Sequence, residues 1–256
     1  MGIDKRRTCT DSFSVGYRDA VLSGWFRKNG ELFDGFPITR EDVVLDVGCG
    51  NGGNAHFCAL FGAHVVFVDI NVDKVTATKR RLANSPARAT TPIVSDANPL
   101  PLEDNIFSKV IATELLEHVD NPVQVLRELV RVGRPGARFL LAVPDPVAEE
   151  LQKPLAAPSH FQKPNHIRII QRDEFARLVS EGGLVIERRG SYGFYWAMWW
   201  ALFWTCNVDL SAPQHPVLDN WARTWSALLD TPQGWRVKQT LDVFMPKSQV
   251  IVARKP

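Results

Sequence analysis

Three carboxylates and a cluster of glycines recur at matching places in the first half of the chain. The stretch "VLDVGCGNGG" (44–53) ends an apolar run in glycines, and Asp69 closes "HVVFVDI" (64–70) 21 residues after Gly48. Asp96 closes "TPIVSDA" (91–97), and Glu114 ends "FSKVIATE" (107–114) with Leu115 after it. Glycines at 48, 50 and 52 or 53 let the backbone turn sharply and approach a ligand. An acid at Asp69 can accept both hydroxyls of a ribose. An acid at Asp96 can accept from the exocyclic amine of a base, and small Ala97 leaves room for a flat ring. Asp46, just before the glycines, suits a cationic ligand better than a pyrophosphate.

A second group of titratable side chains follows. "ELLEHV" (114–119) supplies Glu114, Glu117 and His118, and "APSHFQKPNHIRIIQRDEF" (157–175) supplies His160 and His166. Histidines beside a binding rim can take the proton of a reacting hydroxyl.

These residues need a scaffold that brings strand ends together. The apolar runs are short, rich in β-branched residues and bounded by Gly, Pro, Asn or Asp. Between them lie helical patterns at 71–84 and 121–136, the latter with Val123, Leu126, Leu129 and Val130 on one face. Strands alternating with helices predict a mostly parallel sheet covered on both sides, with ligands beyond the carboxyl ends of its strands. The acids and the glycine loop then share one rim. Gly48, Gly50 and Gly53 also fit G-x-G-x-x-G, so a nicotinamide-dependent oxidoreductase is the first alternative. Asp46 counts against it, as does the lack of room for a separate catalytic domain.

The glycine loop, the acid of "VFVDI", "SDANPLPLEDNIFSKVIATELLEHV" and "RVGRPGARFLLAVPD" resemble the class I S-adenosylmethionine-dependent methyltransferases of the ubiquinone/menaquinone-biosynthesis-like type. The resemblance covers roughly residues 40–190, with "KSQVIVARKP" similar to the family's last strand. It implies a Rossmann-like α/β fold with a seven-stranded, mostly parallel sheet and helices on both faces, to which the N-terminal segment and the insert at 191–246 are expected to add a helical cap. It further implies S-adenosylmethionine as donor. Gly48, Cys49 and Gly50 would line the methionine and ribose side, with Asp46 supporting that loop. Asp69 would take the ribose hydroxyls, Ile70 the adenine face, and Asp96 and Ala97 the adenine edge. Glu114 and Leu115 would pass beneath the sulfonium. Asn51 stands where many relatives have Thr or Ser and can supply similar hydrogen bonds. Glu-x-x-Glu-His with a distant His also resembles the metal site of small-RNA terminal 2′-O-methyltransferases and of some quinone-biosynthesis O-methyltransferases. On that resemblance Glu114, Glu117, His118 and His166 would hold Mg²⁺, Mn²⁺ or Zn²⁺. In relatives that need no metal, Glu117 and His118 would only brace the loop.

The last two strands, "LVIERRGS" and "SQVIVARK", are separated by an insert at 191–246 that holds seven of the eight tryptophans. Within it "YGFYWAMWWALFWT" (192–205) has eight aromatic side chains and no charge. Its uncharged surroundings are short for a bilayer span, which needs about 20 apolar residues, and a span would split one sheet. A helix with apolar residues all round can pack on one side and meet a ligand on another. Tyr192, Tyr195, Trp196, Trp199 and Trp200 are therefore expected to line a pocket for a hydrophobic or aromatic acceptor, with 215–230 packed behind them. Tyr17, in the helix-and-turn segment 13–33, is expected to join them, with Trp25 beside it. Surface docking on a bilayer to collect a lipid-like acceptor is compatible with the same stretch.

The 256 residues carry a net charge of +2. That gives no field for a nucleic acid, which disfavours terminal RNA methylation; "KRR" at 5–7 and 79–81 is too short for a polyanion track. Cys9, Cys49, Cys58 and Cys206 lack paired spacing and read as reduced cytoplasmic thiols. The first 13 residues lack the apolar run of a leader and the hydroxyl residue of a myristoylation signal. The expected organisation is a closing segment (1–40), a donor-binding core (41–190), the aromatic cap (191–246) and a final core strand (247–256). The expected reaction is methyl transfer to a small molecule, at oxygen first. A non-catalytic binding module on the same fold is the remaining alternative.

Overall fold

Side chains along the central strands alternate between two separate apolar clusters, which fixes a layer of helices on each face of one sheet. The computed structural model describes residues 11–256. The basic run at 5–7, Cys9 and the leader and myristoylation readings lie outside the described residues. The chain opens with α1 (Ser12–Leu22) and a small antiparallel hairpin, β1 (Glu31–Phe33) and β2 (Phe36–Pro37). There follow β3 (Val43–Val47), α2 (Gly53–Leu60), β4 (His64–Asp69), α3 (Val72–Leu82), β5 (Ala89–Val94) and β6 (Phe107–Thr113). Next come α4 (Pro122–Val132), β7 (Gly133–Pro144), α5 (Pro146–Gln152), α6 (Arg172–Glu181) and β8 (Val185–Tyr192). The chain closes with α7 (Phe194–Cys206), α8 (Pro216–Leu229), α9 (Gly234–Phe244) and β9 (Ser248–Arg254).

Seven strands form the main sheet in the order β5-β4-β3-β6-β7-β9-β8. All neighbours run parallel except those of β9, which opposes both β7 and β8. The chain builds outward from β3 to β5, then returns to β6 on the other flank of β3. Helices therefore diverge above the carboxyl ends of β3 and β6 and leave a crevice there. Leu45 and Val47 join α4 and α6 on one face, while Val44 joins α2 and α3 on the other.

Local chemistry sets the helix ends. Asn121 accepts from Gln124 N at 3.1 Å and Pro122 opens α4, so the helix starts at a cap followed by proline. Its buried face is Val125, Leu126, Leu129 and Val132. Val123 and Val130, expected at the centre of that face, sit half-buried on its flanks. The glycine-proline run after it begins β7 rather than trailing the helix.

The aromatic insert folds into three helices with a core of its own. Helix α7 packs against α1, α5, α8 and α9. Tyr195, Trp199 and Phe203 of α7 are buried with Leu218, Trp225 and Leu229 of α8 and Val15 of α1. Val217, in the first turn of α8, is exposed. At thirteen residues α7 is too short to span a bilayer, and no helix among the described residues is long and apolar enough to do so. Helix α1 joins this unit through buried charges. Lys238 Nζ lies 3.2 Å from Asp19 Oδ1 and 2.5 Å from Asp242 Oδ2. Trp225 Nε1 donates to Asp19 at 2.8 Å. Asp242 also accepts from Gly193 N and Phe194 N, which caps the start of α7.

Asp242→Ala removes that cap and leaves Lys238 buried with Asp19 as its one carboxylate partner, beside Ser23 Oγ. Loss of half a buried ion pair costs about 3–5 kcal/mol. Urea unfolding of the variant should show a loss of that order, with Asp242→Asn intermediate because it keeps an acceptor for the α7 backbone.

Candidate active site

The turn after β3 is shaped by three left-handed glycines, with φ of +72° at Gly48, +51° at Gly50 and +72° at Gly52. Gly52 is where no side chain fits, because a Cβ there would lie 2.6 Å from Thr78 Oγ1. Gly53, needed for G-x-G-x-x-G, begins α2 and has open space around it. Gly48 N and Cys49 N both donate to Val68 O, at 2.8 and 2.9 Å, which ties the loop to β4. Asp69 draws the same loop inward. Its Oδ2 accepts from Gly50 N at 2.9 Å and its Oδ1 from Asn71 N at 2.9 Å. A carboxylate with one bond per oxygen retains acceptor capacity for a ligand's hydroxyls.

Asp46 is 1% exposed and its Oδ2 accepts from Ala55 N at 3.1 Å. It braces the first turn of α2 from beneath and is closed off from the crevice, so direct pairing with a cationic ligand is not its place. Burial pushes its pKa up to about 7. Cys49 is buried with its Sγ 3.8 Å from Thr78 Oγ1, and burial pushes the thiol up to about 12. Asn51 turns away, accepting from Lys74 Nζ at 2.9 Å. Ile70 is exposed, while Ala97 is buried with a left-handed φ of +63°. Asp96 is exposed and accepts from Asn98 N at 3.1 Å.

A cleft of about 440 Å³ opens where β6 ends. One side is Asn54, Thr113 and Glu114; the other is aromatic, with Tyr17, Trp25 and Phe26 from the N-terminal segment and Tyr192, Trp196 and Trp200 from the insert. Four of the expected pocket residues thus meet here: Tyr17, Tyr192, Trp196 and Trp200. Tyr195 and Trp199 do not. Both are fully buried inside the helical unit, where the Tyr195 hydroxyl donates to Ser12 O at 3.0 Å and Trp199 stacks on Phe203.

The histidines gather behind Trp200. His160 stacks 6.5 Å from Trp200, 4.6 Å from His166 and 4.9 Å from Trp204 between ring centroids. His166 Nδ1 lies 2.7 Å from Glu149 Oε2. His118 Nε2 lies 3.7 Å from Glu117 Oε1, and its Nδ1 lies 3.2 Å from Pro164 O. Ligand atoms of Glu117, His118 and His166 lie within 4.8 Å of one another, as do those of Glu149, His160 and His166. Both Glu117 oxygens are buried without a hydrogen-bond partner, and burial raises its pKa well above the usual carboxylate range. Burial and then His166 hold His118 below its ordinary value, and the same causes bring His160 down to about 4. Neither Glu117 nor any of these histidines lines the cleft. Glu114, expected in this cluster, is outside it: its carboxylate is taken by Lys247 and by Ser248 Oγ. Glu149 of α5 stands there instead.

Sequence reasoning missed Asn54, Phe13, Phe26, Lys247 and Glu149. Asn54 stands one residue past the glycine cluster and donates to Thr113 Oγ1 at 3.0 Å; its place in the loop was the available signal. Lys247 reaches the cleft from the start of β9, far from the other residues in sequence, and no local pattern marks it.

The folded-state pKa of Asp46 lies above the ordinary value of 3.8, so the native state holds that proton more tightly than the unfolded chain. The cost of ionising it is absent below about pH 4 and complete above about pH 7. Asp46→Asn removes the cost and keeps an acceptor for Ala55 N. Urea unfolding from pH 4 to 7 should therefore show the variant gaining on the parent by on the order of 1–3 kcal/mol; a difference independent of pH would contradict this.

Residues 45–141 match the family model described as a methyltransferase domain. The methyltransferase GfsG of Streptomyces halstedii is 28% identical over 193 residues, 70% of this chain and 68% of that protein. The ubiquinone biosynthesis O-methyltransferase of Thiobacillus denitrificans is 30% identical over 156 residues, 56% of this chain and 65% of that protein. This chain thus matches about two thirds of the length of each of these relatives. The geranyl diphosphate C-methyltransferase of Streptomyces coelicolor A3(2) superposes with a TM-score of 0.61 over 99% of this chain and 86% of that chain, at 14% identity, a likeness of fold. With this sheet order, glycine loop and set of matches, the chain carries a methyltransferase domain over residues 45–141 and is similar to S-adenosylmethionine-dependent enzymes of the ubiquinone/menaquinone-biosynthesis type.

Proposed function

We propose that the chain transfers the methyl group of S-adenosylmethionine to an oxygen of a hydrophobic or aromatic small molecule. One observation carries this reading: the aromatic cleft opens at the carboxyl end of β6, with Asn54, one residue past the glycine loop, in its wall, so that a donor and an acceptor can lie side by side. The donor-side residues fit. Asp69 keeps free acceptor capacity for the ribose hydroxyls, Ile70 is exposed for an adenine face, and Asp96 and Ala97 stand at its edge. Gly48 and Gly50 border the methionine side, with Glu114 and Leu115 below. When bound, the donor supplies an electrophilic methyl on a good leaving group. What the chain adds is alignment and exclusion of water, worth up to ~7–11 kcal/mol. The rings of Tyr17, Trp25, Trp196 and Trp200 provide the dry wall. A relative named for O-methylation in ubiquinone biosynthesis supports an acceptor with an apolar body. The thiols of Cys49, Cys58 and Cys206 are free, as suits a reducing cytoplasmic setting.

Isothermal titration tests the reading. S-adenosylhomocysteine should bind the parent, and NAD should give no heat. Asp69→Ala should weaken S-adenosylhomocysteine at least tenfold, since hydrogen bonds to a charged group contribute about 1.5–3 kcal/mol each. Unchanged affinity, or binding of NAD alone, would contradict it.

A second reading concerns the Glu–His cluster. Glu117 is a buried carboxylate without a partner, and such a group needs a proton or a cation. Glu117, His118 and His166 would hold a divalent ion, and two imidazoles favour Zn²⁺ over Mg²⁺. Such an ion supplies Lewis acidity toward an acceptor oxygen when bound. In its absence burial favours the protonated form of Glu117 and holds His118 and His160 below their ordinary values. The purified chain should contain about one zinc per molecule and melt at lower temperature after chelation, with recovery on adding Zn²⁺. Metal-free protein whose melting ignores chelator and zinc would remove this reading.

A further inference from the structure

The floor of the cleft carries one ion pair, and its two halves are unequally satisfied. Glu114 is fully engaged. One oxygen accepts from Lys247 Nζ and the other from Ser248 Oγ at 2.8 Å. Its backbone is left-handed, with φ +54°, and its N–H donates to Ala142 O at 2.8 Å, so the direction of the side chain is set. Lys247 is anchored just as firmly, its own N–H donating to Tyr192 O at 2.9 Å. Its ammonium, however, has Glu114 as its one hydrogen-bond partner among the described residues. An ammonium carries three donors. Two are left to point into the cleft.

Nothing else in the wall competes for them or repeats the charge. Lys247 is the one cation among the residues that line the cleft, and aromatic rings make up most of the rest. Asn54 Nδ2 donates to Thr113 Oγ1. In surroundings this apolar, unmet ammonium donors gain most from an anionic oxygen.

We propose that Lys247 selects the acceptor by binding its oxygen as an oxyanion (a phenolate, enolate or carboxylate) carried on a flat apolar body that Trp196, Trp200 and Tyr192 hold. The inference rests on the methyl-transfer reading and narrows its substrate class. Glu114 keeps its place on the donor side of the pair, where it suits a cation.

Two probes of nearly equal shape test it: 2-naphthoate and methyl 2-naphthoate, titrated into the chain saturated with S-adenosylhomocysteine. Quenching of Trp25, Trp196 and Trp200 reports occupancy of the cleft. Naphthoate should bind the parent at least tenfold more tightly than its ester. Lys247→Met should abolish that preference by weakening naphthoate and not the ester, and Lys247→Arg should keep it. Titration of S-adenosylhomocysteine into each variant checks that the fold survives. Should Lys247→Met fail this check, the parent and Lys247→Arg decide. Equal binding of the two probes by the parent, absence of naphthoate binding, or a preference that survives Lys247→Met overturns the role of Lys247. Failure of the parent to bind S-adenosylhomocysteine would instead overturn the methyl-transfer reading beneath it.

Discussion

The reversal of strand order beside β3 is the constraint on which the site depends. Strands β4 and β5 are laid down on one flank of β3 and β6 on the other, so the connections after β3 and β6 leave in opposite directions. No helix covers the carboxyl ends between them. The glycine loop, Asp69 and Glu114 stand at the carboxyl ends of neighbouring strands, and Glu114 lines the aromatic cleft. The loop itself holds its shape through bonds from Gly48 and Cys49 to Val68 and from Gly50 to Asp69. A ligand at the rim meets groups already in place.

The helical unit completes what the sheet leaves open. Its parts come from opposite ends of the chain: α1 precedes the sheet, and α7 to α9 are inserted before the last strand. They are joined by a buried cluster of Asp19, Lys238, Asp242 and Trp225. A charge cluster of this kind contributes less to net stability than apolar residues would, but it is intolerant of losing a member. It holds α1 and α7 in register, and the cleft lies between that pair and the core. Helix α7 divides its rings accordingly. Tyr195 and Trp199 build the unit's interior, while Trp196 and Trp200 face the cleft.

Much of this was readable from the chain. Strand runs and the rim acids depend on neighbours in sequence and predict a mostly parallel sheet, while its seven strands were implied by the family resemblance. The division of α7 was not readable, because its apolar residues run all the way round and the period marks no preferred side. The same holds for Glu114, whose resemblance to a metal ligand is local while its partner Lys247 lies 133 residues away. Glu149 joins the histidines only because α5 folds over them. Spacing also does not carry which glycine is constrained: Thr78 crowds Gly52, and Gly53 has open space around it.

A crystal structure of the chain with S-adenosylhomocysteine would decide whether donor and acceptor share this opening. The ribose should lie on Asp69, and the sulfur should sit at the mouth of the aromatic cleft beside Glu114, facing Trp200. A nucleoside bound away from Asp69, or a sulfur turned from the cleft, would contradict the assignment of both sites.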